Sequence, residues 1–181
     1  YTREITLRRR LEEVISQLQQ IRDDLQFHQE VAQRVDSDDA SRIRPEDRTA
    51  LSTCATRSGN SLRRQANELS SVAEGFDDIV RQLINNAIPP QQLAENMRND
   101  ILTPLQQLTD QLLPEADRVL SEFRVKALAS QKSEALVRAA TQQVEVVITR
   151  LNQILESVRD LAEFHEALRD LKAILEDQQR L

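Results

Sequence analysis

The chain of 181 residues contains only two glycines and five prolines, which excludes an all-β fold because sheets need more turn-forming residues. Charged residues make up 30% of the chain and aromatic residues 3%, a composition typical of long amphipathic helices with solvated outer faces. The net charge of −6 argues against nucleic-acid binding, because such proteins need a basic face to displace counterions from phosphate.

A first helix is predicted over about residues 3–35. The residues of its predicted seam recur at alternating spacings of four and three: Leu7, Leu11, Val14, Leu18, Ile21, Leu25, His28, Ala32 and Val35. A heptad pattern sustained in this way is typical of a bundle or coiled-coil helix. The pattern ends in the polar segment DSDDASRIRPED, which we interpret as a loop.

A second helix is predicted over about residues 45–86. Pro45 suits the first helical position, and Glu46 and Asp47 follow it, where the positive end of the helix dipole favours acidic side chains. Apolar residues then recur every seven positions, at Ala55, Leu62, Leu69, Phe76 and Leu83. The stretch RSGNS contains poor helix formers, and Gly59 costs about 1 kcal/mol relative to alanine, so we expect a kink or local fraying there.

A third helix is predicted over about residues 90–128. The preceding sequence NNAIPPQQ predicts a turn, because paired prolines cannot continue a helix and Pro90 can begin the next one. Pro104 and Pro114 interrupt the apolar pattern, so we expect this helix to be kinked or divided into two or three pieces. The sequence TPLQ, which begins at Thr103, has the form of a capping box.

The final helix, over about residues 133–181, is predicted to be the longest. Its seam residues again alternate at three and four: Val137, Ala140, Val144, Val147, Leu151, Ile154, Val158, Leu161, His165 and Leu168. The four segments predict an all-α fold, an elongated antiparallel four-helix bundle or coiled coil with a kinked, proline-interrupted third helix and a long last helix. Six residues are predicted to belong to the core, where truncation to alanine should cost about 2 to 5 kcal/mol each: Leu18, Ile21, Leu69, Phe76, Leu151 and Val158.

The predicted domain organisation is a single helical-bundle module over residues 1–181. The chain begins with tyrosine rather than methionine, and its last residues still follow a helical pattern without a stop signal. We therefore expect this module to be a fragment of a longer chain.

The only two histidines, His28 and His165, each follow a phenylalanine on a predicted helix. A metal pair, a pH-sensitive contact and ordinary seam packing are the alternatives. In an up-down-up-down bundle the two rings lie far apart, and neither histidine has the glutamate three residues before it that bundle metal sites use. We interpret both as packing residues with one ring nitrogen hydrogen-bonded.

The acidic loop is a candidate calcium site. Asp36, Asp38 and Asp47 fall at positions 1, 3 and 12 of a calcium-binding loop. However, Ala40 stands where a ligand is needed, and Ser41 stands where a glycine makes the sharp turn. We interpret the segment as a solvated capping loop, and the sequence predicts no metal site.

No catalytic or cofactor-binding site is predicted either. Cys54, the only cysteine, has no histidine near it in sequence to activate a thiolate, and it lies on the apolar side of its helix. We interpret it as a small buried residue. Glycine loops that bind phosphate are missing from the sequence. The expectation is a protein that is not an enzyme and needs no cofactor.

The end of the last helix is the candidate association surface. If the helix extends beyond the bundle past about His165, its apolar face has no partner within the chain and needs cover. This face consists of Leu168, Leu171, Ile174, Leu175 and Leu181. We expect a protein partner here, which is either a second copy of the chain or further sequence of the parent chain in an antiparallel stalk. The third alternative is a tail that folds back or frays.

The function expected is that of a non-enzymatic structural or scaffolding coiled-coil interaction module of a larger protein. In length and predicted architecture the chain resembles the extracytoplasmic sensor domains of bacterial chemoreceptors and related kinases, a resemblance that no motif accompanies. It implies, as the alternative, a ligand-sensing helical bundle of a bacterial membrane receptor. No segment is apolar enough to insert into a membrane, and the N-terminus lacks the apolar core of a signal peptide. The sequence predicts a soluble segment, cytoplasmic or bacterial periplasmic.

Overall fold

The computed structural model describes residues 2–39, 41–86 and 91–180, and the regular structure within these ranges is helical throughout. Helix α1 spans Thr2–Ser37 and helix α2 spans Pro45–Asn85. Helix α3 covers residues 91–128 in joined pieces, and helix α4 spans Glu134–Gln179. The predicted all-α bundle is confirmed, and the helix boundaries lie close to the predicted ones. The turn predicted at NNAIPPQQ, with Pro90, falls largely outside the described residues.

The four helices form an antiparallel four-helix bundle in which each helix packs against two neighbours. Helix α1 packs against α2 and α4, and α3 packs against the same two helices. The antiparallel direction is visible in the ion pairs, since Arg3 near the start of α1 bonds Asp78 near the end of α2 at 2.8 Å. At 1.5 Å per residue, α4 is about 69 Å long. No helix among the described residues is long and apolar enough to cross a membrane.

One continuous hydrophobic core runs along the inside of the bundle. It is built of leucine, isoleucine, valine and alanine, with Phe76 and Phe123 as its largest side chains. The six residues predicted to belong to the core are confirmed as core, because each is exposed by 4% or less. Burying one such side chain contributes about 1.5 to 3 kcal/mol relative to leaving it in water.

Helix α3 accommodates its two internal prolines with π-helical segments. Proline has no N–H to donate, and its ring collides with the carbonyl four residues earlier. The π segment Arg98–Leu102 precedes Pro104, and the π segment Leu108–Leu112 precedes Pro114. Both segments close with a hydrogen bond that spans five residues instead of four, which opens the turn at the proline. The predicted interruption is therefore supported in part, since the helix consists of joined pieces without a break.

Two local expectations are wrong. The capping box at TPLQ does not form, because Thr103 and the preceding Leu102 both have helical backbone angles and no side chain caps the segment. The fraying expected near Gly59 is also missing, because α2 continues unbroken through this stretch. Ser58 is buried there, so packing against the rest of the bundle outweighs the weak helix propensity.

The last turn of α1 provides the cap for the start of α4. One carboxylate oxygen of Asp36 accepts a hydrogen bond from the Ser133 N–H at 3.1 Å, and the other accepts one from the Glu134 N–H at 2.9 Å. These backbone groups lack helical partners, and the negative charge complements the helix dipole. Asp36 thus joins the end of α1 to the start of α4. Ala40, which the calcium-loop comparison used, lies outside the described residues.

Candidate functional site

Helix α4 extends well beyond the helices that cover it. Its last buried residue is Leu161, and His165 is half-buried. From residue 166 to residue 180 every side chain is exposed. We call residues 166–180 the protruding segment; its 15 residues correspond to about 22 Å of helix.

The predicted association residues lie exposed on the protruding segment. Their exposed fractions are 42% for Leu168, 54% for Leu171, 55% for Ile174 and 50% for Leu175. Phe164, just before the segment, is 46% exposed and was not predicted. The spacing of these five residues places them along one side of the helix, and together they form what we call the apolar stripe. The predicted contribution of Leu181 lies outside the described residues.

The apolar stripe leads into a groove between α3 and α4. The groove has a volume of about 260 Å³, and Asp100 and Asp160 are among its polar residues. Its apolar lining residues are Leu93, Met97, Ile101, Leu161 and Phe164. Phe164 therefore belongs to both the groove and the stripe. The periodicity of a single helix does not reveal this groove, because its two walls are about 60 residues apart in sequence.

A part-buried hydrogen bond marks the point where α4 leaves the bundle. The Nδ1 atom of His165 donates a hydrogen bond to Oε2 of Glu4 at 2.9 Å. The Glu4 side chain is only 7% exposed, although it lies in the first turn of α1. The interpretation of His165 as a seam residue with one bonded ring nitrogen is confirmed, and its partner comes from another helix. The sequence analysis did not single out Glu4, although Glu4 stands three residues before Leu7, at the position that continues the seam of α1.

His28 lies far from His165. It is 24 residues after Glu4 on α1, which corresponds to about 36 Å of helical rise. Its Nδ1 atom donates to the backbone carbonyl of Asp24 at 2.7 Å, so it too is a packed residue with one bonded ring nitrogen. The two histidines belong to separate parts of the bundle.

His28 is part of a polar cluster that joins α1 to α2. Ligand-type atoms of Asp24, His28 and Cys54 lie within 4.8 Å of one another, which sequence reasoning missed because Cys54 is 30 residues from Asp24. The Asp24 carboxylate is held by Arg57 through contacts of 2.7 and 2.8 Å. A positively charged guanidinium in this position disfavours a cation at the same carboxylate.

The thiol of the cluster is unreactive in character. Burial, reinforced by the nearby Asp24 carboxylate, raises the pKa of the Cys54 thiol to about 12. At neutral pH the sulfur is therefore a protonated thiol, whereas nucleophilic attack and metal binding require the thiolate. The cluster stabilises the contact between α1 and α2 by charge-assisted hydrogen bonds. The interpretation of Cys54 as a buried residue is confirmed.

Comparison with known proteins found no matching family model, no similar curated protein and no similar solved structure. Function is therefore inferred from geometry. Other large apolar side chains are exposed on the described surface, such as Phe27 and Val125, but the apolar stripe places five of them along one side of one helix beside a groove.

Proposed function

We propose that this chain is a non-enzymatic structural interaction module whose bundle presents the protruding segment of α4 as a protein-binding helix. The observation that carries the proposal is the apolar stripe, which no other helix among the described residues covers. Contiguous exposed apolar surface on a folded protein marks a site of interaction. Scattered single apolar residues would carry no such meaning, but these five share one side of one helix.

The protruding segment also has an energetic reason to bind another helix. An isolated helix of 15 residues is marginally stable in water, because nucleation is costly and its stability comes mainly from packing of the apolar face. The continuous helix of the bundle removes the nucleation cost for this segment. A partner that covers the apolar stripe would supply the missing packing.

The rest of the bundle supports a structural role. Its core is closely packed along its length, its histidines are bonded to neighbouring groups, and its cysteine is buried and protonated. The polar cluster joins α1 to α2 without offering a free nucleophile. A rigid bundle of this kind suits the positioning of a binding helix.

Site-specific photo-crosslinking in the full-length protein, produced in its own cells, tests this proposal. A benzophenone amino acid replaces Leu171 on the stripe in one variant and Ala173, on the opposite side of the same segment, in the control. We expect a defined protein adduct at position 171 and none at position 173, with mass spectrometry identifying the attached segment. Equal labelling at both positions, or no protein adduct at position 171, would contradict the proposal.

A ligand-sensing bundle of a bacterial membrane receptor is the second candidate function. The observation in its favour is the Glu4–His165 bond, which places the start of α1 beside the point where α4 leaves the bundle. A receptor domain needs its first and last helices side by side if both lead to a membrane. Apolar membrane spans flanking these residues in the full reading frame would favour the sensor, whereas further heptads would favour the interaction module.

A further inference from the structure

We propose that the groove between α3 and α4 binds a small organic ammonium ion that carries an apolar body. The apolar bottom of the groove covers the body of the ligand, and the carboxylates of Asp100 and Asp160 at its rim bind the positive charge. This binding site goes beyond the proposed protein-binding role and does not depend on it.

The bottom of the groove is apolar and is fixed by the packing of the bundle. Leu93, Met97 and Ile101 of α3 and Leu161 of α4 line it, and each is exposed by 8% or less. The ring of Phe164, which is 46% exposed, adds apolar surface at one end. Because the four buried residues are already packed in the bundle, the groove is formed before a ligand arrives, as is usual for small-molecule sites.

Carboxylates stand on both walls of the groove. Asp100 of α3 and Asp160 of α4 line it and are exposed to solvent. Within the described ranges neither carboxylate has a hydrogen-bond or ion-pair partner. Carboxylates at other boundaries between helices do have one, as Asp117 of α3 has in Arg63 of α2 at 2.9 Å. A ligand cation supplies the partner that the two groove carboxylates lack.

The two walls of the groove are negatively charged overall. Residues 91–101 of α3 and 156–164 of α4 contain five acidic residues and two arginines, a net charge of −3. Of the two arginines, Arg159 bonds Glu12 of α1 at 3.3 Å, and Arg98 does not line the groove. Clustered negative charge beside an apolar surface raises the local concentration of cations.

The cations that follow on α4 lie beyond the groove. Arg169 lies 3.8 Å from Glu166 and 3.7 Å from Asp170. Lys172 is eight residues past Phe164, which corresponds to about 12 Å of helical rise. Neither cation lines the groove, so the carboxylates there are open to a ligand.

The combination of charge and apolar surface selects the class of ligand. The apolar bottom takes up an alkyl or aryl body through the hydrophobic effect, and the carboxylates attract an ammonium group. Phe164 adds an aromatic face, which also attracts ammonium ions. A divalent metal ion needs several oxygen ligands around it, which the apolar bottom does not provide. An anion of the same shape is repelled by both walls.

Nuclear magnetic resonance titration of the nitrogen-15-labelled chain tests the site with four matched probes: hexylammonium, propylammonium, hexanoate and the dication of 1,4-diaminobutane. We expect hexylammonium to shift the amide signals of Met97, Ile101 and Leu161 in a saturable way, with a Kd of about 1 mM or below. Propylammonium should bind at least about tenfold more weakly, because three methylene groups are missing. Hexanoate should not bind, and the dication should bind weakly because it has no apolar end.

Two carboxylate variants and one control locate the charge contact. Asp100→Asn and Asp160→Asn each remove one carboxylate from the rim, and each should raise the Kd of hexylammonium about two- to fivefold. Asp110→Asn is the matched control, because Asp110 has the same place in the π segment Leu108–Leu112 as Asp100 has in Arg98–Leu102 but does not line the groove. The control should leave the Kd unchanged. All three side chains are exposed, and circular dichroism checks that the variants fold alike.

Three results would each overturn this binding site: no saturable shifts with hexylammonium at ten times the expected Kd, equal weakening by Asp100→Asn and Asp110→Asn, or equal binding of hexanoate. Binding of the dication as tight as that of hexylammonium would overturn the apolar body, because charge alone would then explain the affinity. None of these results changes the crosslinking expected at position 171. The ligand site and the proposed function therefore fail separately.

Discussion

The two parts of helix α4 differ in burial although they share one helix and a similar content of leucine and isoleucine. Within residues 134–161 most apolar positions are buried, with α1 and α3 as the main neighbours, whereas within residues 166–180 the same residue types are exposed. Helix formation depends on local propensity and continuity of the backbone, but burial depends on neighbouring helices. Along α4, therefore, a residue can be helical without being buried.

The largest expected difference in the free energy of unfolding is between two alanine variants, one at a leucine in each part of α4. Leu151→Ala removes a fully buried side chain and is expected to lower the free energy of unfolding by about 3 to 4 kcal/mol. Leu171→Ala removes a side chain that is 54% exposed and is expected to change it by less than about 0.5 kcal/mol. Urea unfolding at a concentration where the chain is monomeric measures both. Similar losses would mean that the protruding segment packs against its own bundle.

At the boundary between the two parts, Glu4 is expected to contribute to the stability of the bundle. Glu4→Ala leaves His165 without its partner, and we expect a loss of about 1 to 3 kcal/mol in the free energy of unfolding. The control Glu163→Ala removes an exposed carboxylate from α4 and is expected to cost less than about 0.5 kcal/mol. Replacing both partners, as Glu4→Leu with His165→Leu, should restore most of the stability. Equal urea midpoints for Glu4→Ala and its control would refute a structural role for the pair.

The other end of α4 is expected to depend on its cap from α1. Asp36→Ala removes the acceptor for two backbone N–H groups and should lower the free energy of unfolding by about 1 kcal/mol. Asp38→Ala, two residues further along and just past the end of α1, is the matched control and should have little effect. Thermal unfolding followed by circular dichroism measures both. A similar shift in melting temperature for the two variants would argue that general loop charge, rather than the cap, is responsible.

Close packing in the body of the bundle is tested by replacing each of two glycines of α2 with alanine. A Cβ atom at Gly75 would lie 2.7 Å from Cδ2 of Leu7, so Gly75→Ala should destabilise by about 1 kcal/mol. At Gly59 a Cβ meets nothing within 4 Å, so Gly59→Ala should stabilise by about 0.5 to 1 kcal/mol through helix propensity. Urea unfolding of both variants should give opposite signs. Stabilisation at both positions would show that Leu7 moves aside freely.

The smallest expected effect near neutral pH concerns Cys54. Burial raises the pKa of its thiol from 9.0 to about 12 in the folded chain. Below about pH 9 the thiol is protonated in both states and its stabilising contribution is fully present; between about pH 9 and 12 the unfolded thiol ionises first, so stability falls. Cys54→Ala should reduce this alkaline slope, which urea unfolding at several pH values measures. In a thiol-labelling assay at pH 8, Cys54 should react far more slowly than an exposed thiol introduced by Ala173→Cys.

The sequence predicted the helices and most of the core because periodic apolar residues report which face of each helix is buried. Leu18, Phe76 and Val158 follow directly from that pattern. The spacing also predicted that the end of α4 would carry an apolar face. Its association with a protein partner stays a prediction.

The side-chain contacts between distant residues were not predictable in the same way. Glu4 occupies a seam position of α1 but is not apolar and was passed over, Asp36 was considered only for calcium, and Cys54 was judged by its neighbours in sequence. Each acquires its role from a residue on another helix. Phe164 was overlooked because the heptad pattern favoured the adjacent His165.

By itself, the sequence determined the number and extent of the helices, because hydrogen bonding within a helix and its apolar period are local properties. Only the tertiary structure decided which helices meet, how the prolines of α3 are accommodated, where the cap of α4 comes from and where the bundle ends. These depend on distances between residues far apart in the chain, and a one-dimensional pattern does not contain such distances. The groove beside Phe164 is therefore a property of the packed bundle and of no single segment.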